Sequence, residues 1–193
     1  MFLDGLSPER RGTLRRMDHE LTLRVVGAEH RLSVDSRTSL LDALRQRLGN
    51  TSPKKGCDHG QCGSCTVLVD GVRVLACLTL AVTRDGSEVV TADGLSAGPP
   101  GSGGDHPLHR AFVDEDAFQC GYCTPGQVCS AVGMLDEFAR GRPSVVTGDL
   151  GAAPELDDAE IAERMSGNLC RCGAYPGIRA AVARVGRERE GTR

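Results

Sequence analysis

Four cysteines in a short stretch limit what this chain can fold around. Three follow the spacing C-x4-C-x2-C, and eleven residues separate the third from the fourth; they are Cys57, Cys62, Cys65 and Cys77. This is the plant-type [2Fe–2S] pattern, in which a tight loop supplies three of four thiolates. Three glycines permit positive φ in such a loop: Gly56, Gly60 and Gly63. A loop curled in this way would also point several N–H groups inward, where they stabilise an anionic cluster.

Two disulfides, a zinc site and ordinary structural thiols are the alternatives for this set. Zinc sites commonly use two C-x2-C pairs, and only one is present here. The pairs Arg10-Arg11 and Arg15-Arg16 are similar to a twin-arginine export signal, but the residues that follow are charged rather than apolar. We therefore expect residues 1–18 to form a flexible tail and the chain to lie in a reducing compartment, where disulfides are rare. His59 is expected to be a solvated loop residue.

A second set of four cysteines follows in two pairs. These pairs are Cys120 with Cys123, and Cys170 with Cys172. Each pair lies at the start of a predicted helix, whose partial positive charge favours thiolates. A C-x-C pair is too close for most unstrained disulfides, which favours shared metal ligation. The spacing leaves zinc and iron–sulfur ligation both open here.

Three other residues near these cysteines have simpler interpretations. The ninth cysteine, Cys129, lies near the apolar stripe of a predicted helix and is expected to be a buried thiol. Tyr122 and Tyr175 each lie beside a cysteine pair, and we expect them to pack over it.

The first half of the chain has the pattern of a small sheet with one helix. Alternating apolar residues predict a hairpin over 19–34, and leucines at helical spacing predict a helix over 36–48. Two further strands flank Asp70-Gly71, a strong hairpin signal because both turn positions need positive φ. A last strand is predicted over 87–91. We therefore predict one domain over 19–95.

The second half has a helical pattern. A stretch rich in Gly, Pro and Ser over 92–105 predicts a linker, which we bound at 96–106. Four short helices are predicted at 107–118, 125–140, 157–165 and 176–185. They give a helical domain over 107–188, followed by a tail at 189–193. The fold class is therefore α+β.

Composition excludes two classes of partner. A net charge of −3 and a pI near 6.0 do not favour binding to nucleic acid. The longest nearly apolar run, Val74–Val82, is far shorter than the ~20 residues of a membrane helix. Only 3% of the residues are aromatic, so the core is thin, and such cores usually need a metal or another staple.

Taken together, the two cysteine sets resemble those of one family, the iron–sulfur subunits of molybdenum hydroxylases such as xanthine dehydrogenase and aldehyde oxidase. Besides Cys77, the matching segments are KKGCDHGQCGSCTVLVDG at 54–71, FQCGYCTPGQ at 118–127 and MSGNLCRCGAYPGI at 165–178. The resemblance implies a ferredoxin-like β-grasp domain and then a four-helix domain, with one [2Fe–2S] cluster held by each cysteine set. It also implies that Gln119 contacts a molybdopterin.

The same resemblance implies a function in electron transfer. Electrons would pass from a molybdopterin centre on a large partner subunit, through both clusters, to FAD on another subunit. The 46 residues between Cys123 and Cys170 are similar to those of bacterial three-subunit aldehyde oxidoreductases, which implies oxidation of aldehydes to carboxylic acids. A purine or other heteroaromatic hydroxylase, a free ferredoxin-type carrier and a zinc-stapled interaction module are the alternatives. We expect a cytoplasmic complex rather than an exported, periplasmic one.

Overall fold

The computed structural model describes residues 18–96 and 105–191. Most of the predicted N-terminal tail and linker, and the last two residues, lie outside these ranges. Within the two described ranges, no helix is long and apolar enough to cross a membrane.

The first half is built on a mixed sheet of five strands. These are β1 (Asp18–Val25), β2 (Ala28–Asp35), β3 (Thr66–Val69), β4 (Val72–Leu75) and β5 (Glu88–Val90). Their order across the sheet is β2-β1-β5-β3-β4. Only the β1–β5 pair is parallel among the pairs between these strands; it brings the two hairpins into one sheet.

Both predicted hairpins are present, and each turns through two residues with positive φ. At the second turn Asp70 has φ 50° and Gly71 φ 77°, as the sequence predicted. The first turn lies one residue earlier than Gly27-Ala28: Val26 has φ 51° and Gly27 φ 77°. Ala28 instead begins β2, because it pairs with Val25 across the turn.

The predicted helix over 36–48 is shorter and less regular than its leucine spacing indicated. It begins as α1 (Leu40–Asp42), where the Ser39 hydroxyl accepts a hydrogen bond from the Asp42 amide. It continues as a wider, π-helical stretch over Ala43–Arg47. Leu40, Leu41 and Leu44 are fully buried in the core of the first half.

A short helix replaces the start of the predicted linker. Residues Ala92–Ser96 form α2, directly after the last strand. The glycine at position 94 weakened the helical pattern in the sequence, but the Thr91 carbonyl accepts a hydrogen bond from the Leu95 amide. Residues 97–104 lie outside the described ranges.

The second half contains α3 (Pro107–Asp114), α4 (Thr124–Ala139), α5 (Asp158–Met165) and α6 (Tyr175–Glu190). All four overlap the predicted helices, but α3 ends before Phe118 and α6 continues beyond Val185. Helix α4 lies at the centre and is buried along most of its length. It packs against β3 as well as against the other helices, and Leu68 of β3 belongs to the helical core. The two halves therefore share one packed boundary.

An arginine of the sheet strengthens this boundary. Arg73 of β4 donates to both carboxylate oxygens of Glu137 on α4, at 2.9 and 2.8 Å. Its remaining Nη1 group donates to the Ser130 hydroxyl and to the Arg164 carbonyl. The guanidinium of Arg164 in turn binds Glu160 within α5. A chain of ion pairs thus runs from the sheet into the helices.

Candidate iron–sulfur centres

The first cysteine set lies where the sheet meets the helices. Cys65 directly precedes β3, and Cys77 follows β4 after one intervening residue. Cys57 and Cys62 come from the loop before β3, and their own backbone joins them: the Cys57 amide donates to the Cys62 sulfur at 3.4 Å, and the Cys62 amide donates to the Cys57 sulfur at 3.4 Å. The β3–β4 hairpin brings Cys77 back to the loop, as predicted.

Backbone N–H groups surround the Cys57 sulfur. The Gln61 amide donates to it at 3.3 Å, and the amides of His59 and Cys62 also contribute. The His59 amide is the largest influence, and together these donors lower the pKa of Cys57 to about 6 against the opposing effect of burial. The predicted inward-pointing amides are confirmed at this sulfur.

The three loop glycines serve two different needs. Gly60 and Gly63 have φ of 83° and 69°, as predicted. Gly56 does not have positive φ. A Cβ at Gly56 would instead lie 2.8 Å from the Cys62 sulfur, so glycine is needed there for space.

Cys65 and Cys77 form the second close pair of this set. The Cys77 side chain lies close enough to influence the pKa of Cys65. Burial is the main cause that raises the pKa of Cys65 to about 12, and the neighbouring Cys77 and Cys62 raise it further by charge repulsion. A bound cation would remove this repulsion and hold both thiols as thiolates.

The second set forms in the same way from two loops that precede helices. Cys123 is the residue directly before α4, and Cys170 and Cys172 lie in the loop before α6. Cys172 lies close enough to Cys120, and Cys170 close enough to Cys123, to influence the pKa of that thiol. Each loop thus contributes one member to each close pair.

The protonation of the second set also depends on its neighbours. Burial, followed by the influence of the nearby Cys170 side chain, raises the pKa of Cys123 to about 11. The Tyr122 amide and then the Cys172 side chain lower the pKa of Cys120. Burial would raise the pKa of Cys170, but the Ala174 amide and Cys123 outweigh it, and the net shift is downward.

The pairing of the thiols fits a two-iron core. Both sets consist of two close pairs, and in a [2Fe–2S] cluster with four cysteines each iron is held by two thiolates. The arrangement of donors therefore suits a cluster with two irons.

Comparison with known proteins gives the same two-part division. A family described as a 2Fe-2S iron-sulfur cluster binding domain matches residues 23–88, and one described as a [2Fe-2S] binding domain matches residues 91–183. The chain is 57% identical over 162 residues to the aldehyde oxidoreductase iron-sulfur-binding subunit PaoA of Escherichia coli, which covers 84% of this chain and 69% of that protein. It is 39% identical to the nicotine 6-hydroxylase small subunit of Paenarthrobacter nicotinovorans, over 84% of this chain and 87% of that one.

This chain belongs to the iron–sulfur subunits of the molybdenum hydroxylases. It carries two [2Fe–2S]-binding domains, a ferredoxin-like one and a helical one, and it serves an oxidoreductase in electron transfer. Solved structures agree: quinoline 2-oxidoreductase from Pseudomonas putida 86 matches with a TM-score of 0.69 and 34% identity, over 89% of this chain and 97% of that one. The aldehyde oxidoreductase from Desulfovibrio desulfuricans matches with a TM-score of 0.72 and 33% identity, over 90% of this chain and 17% of that one.

Several predicted residues of this subunit lie outside the two thiol sets. Cys129 is buried within α4, and burial raises the pKa of its thiol to about 12, as expected for an ordinary core cysteine. His59 is exposed, as expected, and its ring contacts the Cys57 carbonyl. Gln119 is exposed beside Cys120.

The two tyrosines do more than pack over the cysteine pairs. The Tyr122 hydroxyl donates to the Lys55 carbonyl of the first loop at 2.9 Å, and the Tyr175 hydroxyl accepts from the Cys170 amide at 2.8 Å. Both rings are more than two-fifths exposed, so they cover the cysteines only in part.

Sequence reasoning missed two buried polar residues between the sets. Asn168 and Gln127 are 5% and 1% exposed, and the Gln127 amide donates to the Asn168 carbonyl at 3.0 Å. The Asn168 side chain reaches Gly63, which lies 105 residues earlier in the chain. Their position inside the two cysteine motifs was the available signal, since polar side chains are seldom buried without a partner.

Proposed function

We propose that this subunit passes electrons from a molybdopterin centre to FAD through two [2Fe–2S] clusters, each held by four of its cysteines. The first cluster would be held by Cys57, Cys62, Cys65 and Cys77, and the second by Cys120, Cys123, Cys170 and Cys172. The observation that carries this assignment is the arrangement of the eight thiols in two sets of two close pairs. When bound, each cluster supplies a site that takes up and releases one electron.

The protein itself would tune each site through its backbone. Three amides directed at the Cys57 sulfur favour its thiolate, and the Ala174 amide does the same for Cys170 at 3.4 Å. Helix α4 begins directly after Cys123, so its positive end also faces the second set.

We further propose a β-grasp domain over 19–95, a linker over 96–106 and a four-helix [2Fe–2S]-binding domain over 107–188. The mixed sheet with α1 packed on it supports the first domain, and the shared core of α3 to α6 supports the second. Residues 1–18 and 189–193 would be tails, but β1 already begins at Asp18 and α6 continues to Glu190, which shortens both. The linker proposal is restricted by α2, which already occupies Ala92–Ser96.

We propose an aldehyde as the substrate of the whole complex, oxidised on a partner subunit to a carboxylic acid. The 57% identity to an aldehyde oxidoreductase subunit supports this choice over hydroxylation of a heteroaromatic ring. The second possibility has support of its own, because relatives named for nicotine and nicotinate are 35–39% identical. Oxidation assays on the purified complex with benzaldehyde and with nicotinate would separate the two: turnover of nicotinate alone would contradict the aldehyde proposal.

The proposed partners are a FAD-binding subunit and a large molybdopterin-binding subunit, in the cytoplasm. We propose that Gln119 contacts the molybdopterin of that partner, which its exposure next to the exposed Cys120 supports. Co-purification of this chain with two larger proteins, one carrying FAD and one carrying molybdenum, is the expected result. Recovery of the chain alone, with both clusters intact and no partner, would favour a free carrier instead. Cell fractionation checks the location.

Replacement of one cysteine tests the ligand sets. In Cys170→Ser we expect about half of the iron and acid-labile sulfide to be lost, because only the second set is broken. Electron paramagnetic resonance of the reduced protein should then show one of two signals. Cys129→Ser is the control and should keep both signals and all the iron. Full iron content in Cys170→Ser would contradict the assignment.

The electron path has its own test in the assembled complex. Reduction of FAD by substrate should be strongly slowed in Cys170→Ser and unchanged in Cys129→Ser. Flavin reduction at the normal rate in Cys170→Ser would show that electrons bypass the second set.

A further inference from the structure

A buried glutamine lies directly beside the second cysteine set. Gln127 is at the start of α4, four residues after Cys123, and almost none of its surface is exposed. Its main-chain amide donates to the Cys123 carbonyl at 3.0 Å. Residues four apart along a helix lie on the same face, so the side chains of Gln127 and Cys123 are neighbours.

One hydrogen bond fixes which way the Gln127 amide group points. The side-chain Nε2 group donates to the Asn168 carbonyl at 3.0 Å. A carbonyl oxygen only accepts, so the NH2 end of the side chain, and not its oxygen, lies on this side. The NH2 group carries two hydrogens, and the Asn168 carbonyl takes one. The second N–H group is buried with the rest of the side chain and needs an acceptor of its own.

The residue that anchors Gln127 is itself held on two sides. The Asn168 amide donates to the Met165 carbonyl at 3.0 Å, and its side-chain Nδ2 group donates to the Gly63 carbonyl at 2.9 Å. Asn168 is also buried. The carbonyl that binds Gln127 therefore has a fixed position, and the glutamine side chain cannot turn away from α4 without leaving a buried donor unpaired, which is costly.

The Cys123 sulfur is the acceptor that lies next to this second N–H group. Burial is the main cause that raises the pKa of Cys123 to about 11, the nearby Cys170 adds to it, and the Gln127 side chain acts in the opposite direction. A neighbouring group lowers the pKa of a thiol when it favours the thiolate, which an N–H donor does and a carbonyl oxygen does not. The helix geometry and the orientation of the amide group agree with this direction.

We propose that Gln127 is a positioning residue of the second cluster: its second side-chain N–H group donates to the Cys123 sulfur and raises the reduction potential of that cluster. The proposal rests on the ligand assignment made under the proposed function. In the step, the second cluster takes up one electron, which substrate oxidation on the partner subunit supplies. No covalent bond forms or breaks, and the proton stays on the Gln127 nitrogen.

The physical reason is that the hydrogen bond favours the more negative state of the cluster. A reduced cluster carries one more negative charge than an oxidised one, and part of that charge lies on the thiolate sulfurs. Hydrogen bonds to more strongly charged acceptors are stronger, and burial away from water increases the difference. The Gln127 donor therefore stabilises the reduced cluster more than the oxidised one, which makes the second cluster a better electron acceptor.

Gln127→Met in the assembled complex tests the donor, because methionine has a similar length and no N–H group. The complex is titrated with dithionite and followed by electron paramagnetic resonance, and the signal of the second cluster is the one that Cys170→Ser loses. We expect its midpoint potential to fall, with a roughly three- to tenfold smaller equilibrium constant for reduction. The potential of the first cluster should stay unchanged. An unchanged potential of the second cluster, with full iron content, would overturn the proposal.

Ser130→Ala is the matched control for a loss of buried hydrogen bonding on the same helix. Ser130 is buried on α4 and accepts a hydrogen bond from Arg73, but it lies almost two turns beyond Cys123. This substitution should lower stability and leave both midpoint potentials unchanged. A fall in the potential of the second cluster as large as in Gln127→Met would mean that general loosening of α4 causes the shift, and would overturn the proposal.

Isotope labelling detects the hydrogen bond without removing it. The chain has four glutamines, of which only Gln119 and Gln127 lie beside the second set. In a complex labelled with nitrogen-15 in its glutamine side chains, pulsed electron paramagnetic resonance of the reduced second cluster should show a nitrogen-15 coupling. The coupling should persist in Gln119→Glu, which removes the other nearby side-chain nitrogen. Its absence from the natural complex, or its loss in Gln119→Glu, would overturn the proposal.

These measurements separate Gln127 from the ligand assignment. If Cys170→Ser keeps all its iron, the ligand assignment fails. If Cys170→Ser loses half of its iron while Gln127→Met keeps the native potential, the assignment stands and the role of Gln127 is wrong. Should Gln127→Met not assemble, the labelled complex and its Gln119→Glu variant decide the question.

Discussion

At the scale of single residues, the environment of each sulfur divides nine chemically identical thiols into different classes. The pKa of Cys57 is lowered to about 6 by amide donors, whereas burial holds that of Cys129 near 12. The thiolate is the reactive form, so at neutral pH the first is nucleophilic and the second is not. This contrast cannot be derived from composition, because it depends on which amides and which apolar atoms surround the sulfur.

Alkylation should reveal this difference. In chain freed of iron, we expect iodoacetamide at pH 7 to modify Cys57 rapidly and Cys129 only after unfolding in guanidinium. Peptide mass spectrometry over a time course measures both rates. Modification of Cys129 as fast as Cys57 in the folded chain would contradict its placement in the core.

A half-buried histidine, His106, makes stability depend on pH. Burial is the first cause that lowers the pKa of His106 to about 4, followed by the charges of Arg189 and His109, and Asp136 opposes them. The neutral ring is favoured in the folded chain, so stability is present above the ordinary pKa of 6.5 and is lost as pH falls towards 4. Because the ring is only partly buried, solvent screening limits the expected loss to about 1 kcal/mol.

The comparison of pH 7.5 with pH 5.5 in urea unfolding tests this expectation. His106→Asn is the informative variant, because His106 caps α3 through its side chain and asparagine can keep the cap. The variant should lose less stability than the natural chain between these pH values. An equal loss in both would mean that other groups carry the pH dependence.

At the scale of elements, the sequence predicted what depends on local pattern and missed what depends on distant contacts. Alternation and the Asp70-Gly71 turn were sufficient for the hairpins, and helical spacing was sufficient for α3 to α6. The π-helical stretch at Ala43–Arg47 and the helix α2 were not predictable in this way. In the first, the leucines are buried in the core of the first half, and the second contains a glycine, which has low helix propensity.

Helix α4 offers a test of how closely the elements pack. Alanine is normally preferred to glycine within a helix. At Gly126, however, a Cβ would lie 2.5 Å from the Gly63 carbonyl and 3.0 Å from the Ser64 backbone, and backbone cannot easily yield. We expect Gly126→Ala to lower the free energy of unfolding by about 1–3 kcal/mol.

The matched control for this substitution lies in α6. A Cβ at Gly186 would mainly meet the end of the flexible Leu156 side chain, which can change rotamer. Gly186→Ala should therefore stay within about 1 kcal/mol of the natural chain. Urea unfolding followed by circular dichroism measures the stability of both variants. Equal losses in Gly126→Ala and Gly186→Ala would show that the close backbone contact at Gly126 does not exclude a Cβ.

At the scale of the whole molecule, the two halves are not independent, because α4 packs against β3 and they share one boundary. The cysteine spacings and the change from strand to helix pattern predicted both halves. The boundary was not predictable, because it joins residues such as Leu68 and Arg73 to helices more than fifty residues later in the chain. With α4 packed on β3, we expect the halves to unfold together, so that circular dichroism and the visible absorption of the clusters change at the same urea concentration.

Substitution of Arg73 tests how much this boundary contributes to the free energy of unfolding. Its guanidinium makes a two-pronged ion pair with Glu137, and both side chains are about four-fifths buried. Arg37 makes the same two-pronged pair with Asp35, at 2.8 and 2.9 Å, but it is exposed and local. We expect Arg73→Met to lower the free energy of unfolding by about 2–3 kcal/mol, since it leaves Glu137 largely buried with its main partner removed, and Arg37→Met to have a clearly smaller effect. If the two substitutions cost the same, or if the two spectroscopic probes already separate in the natural chain, the halves are joined by less than their contacts indicate.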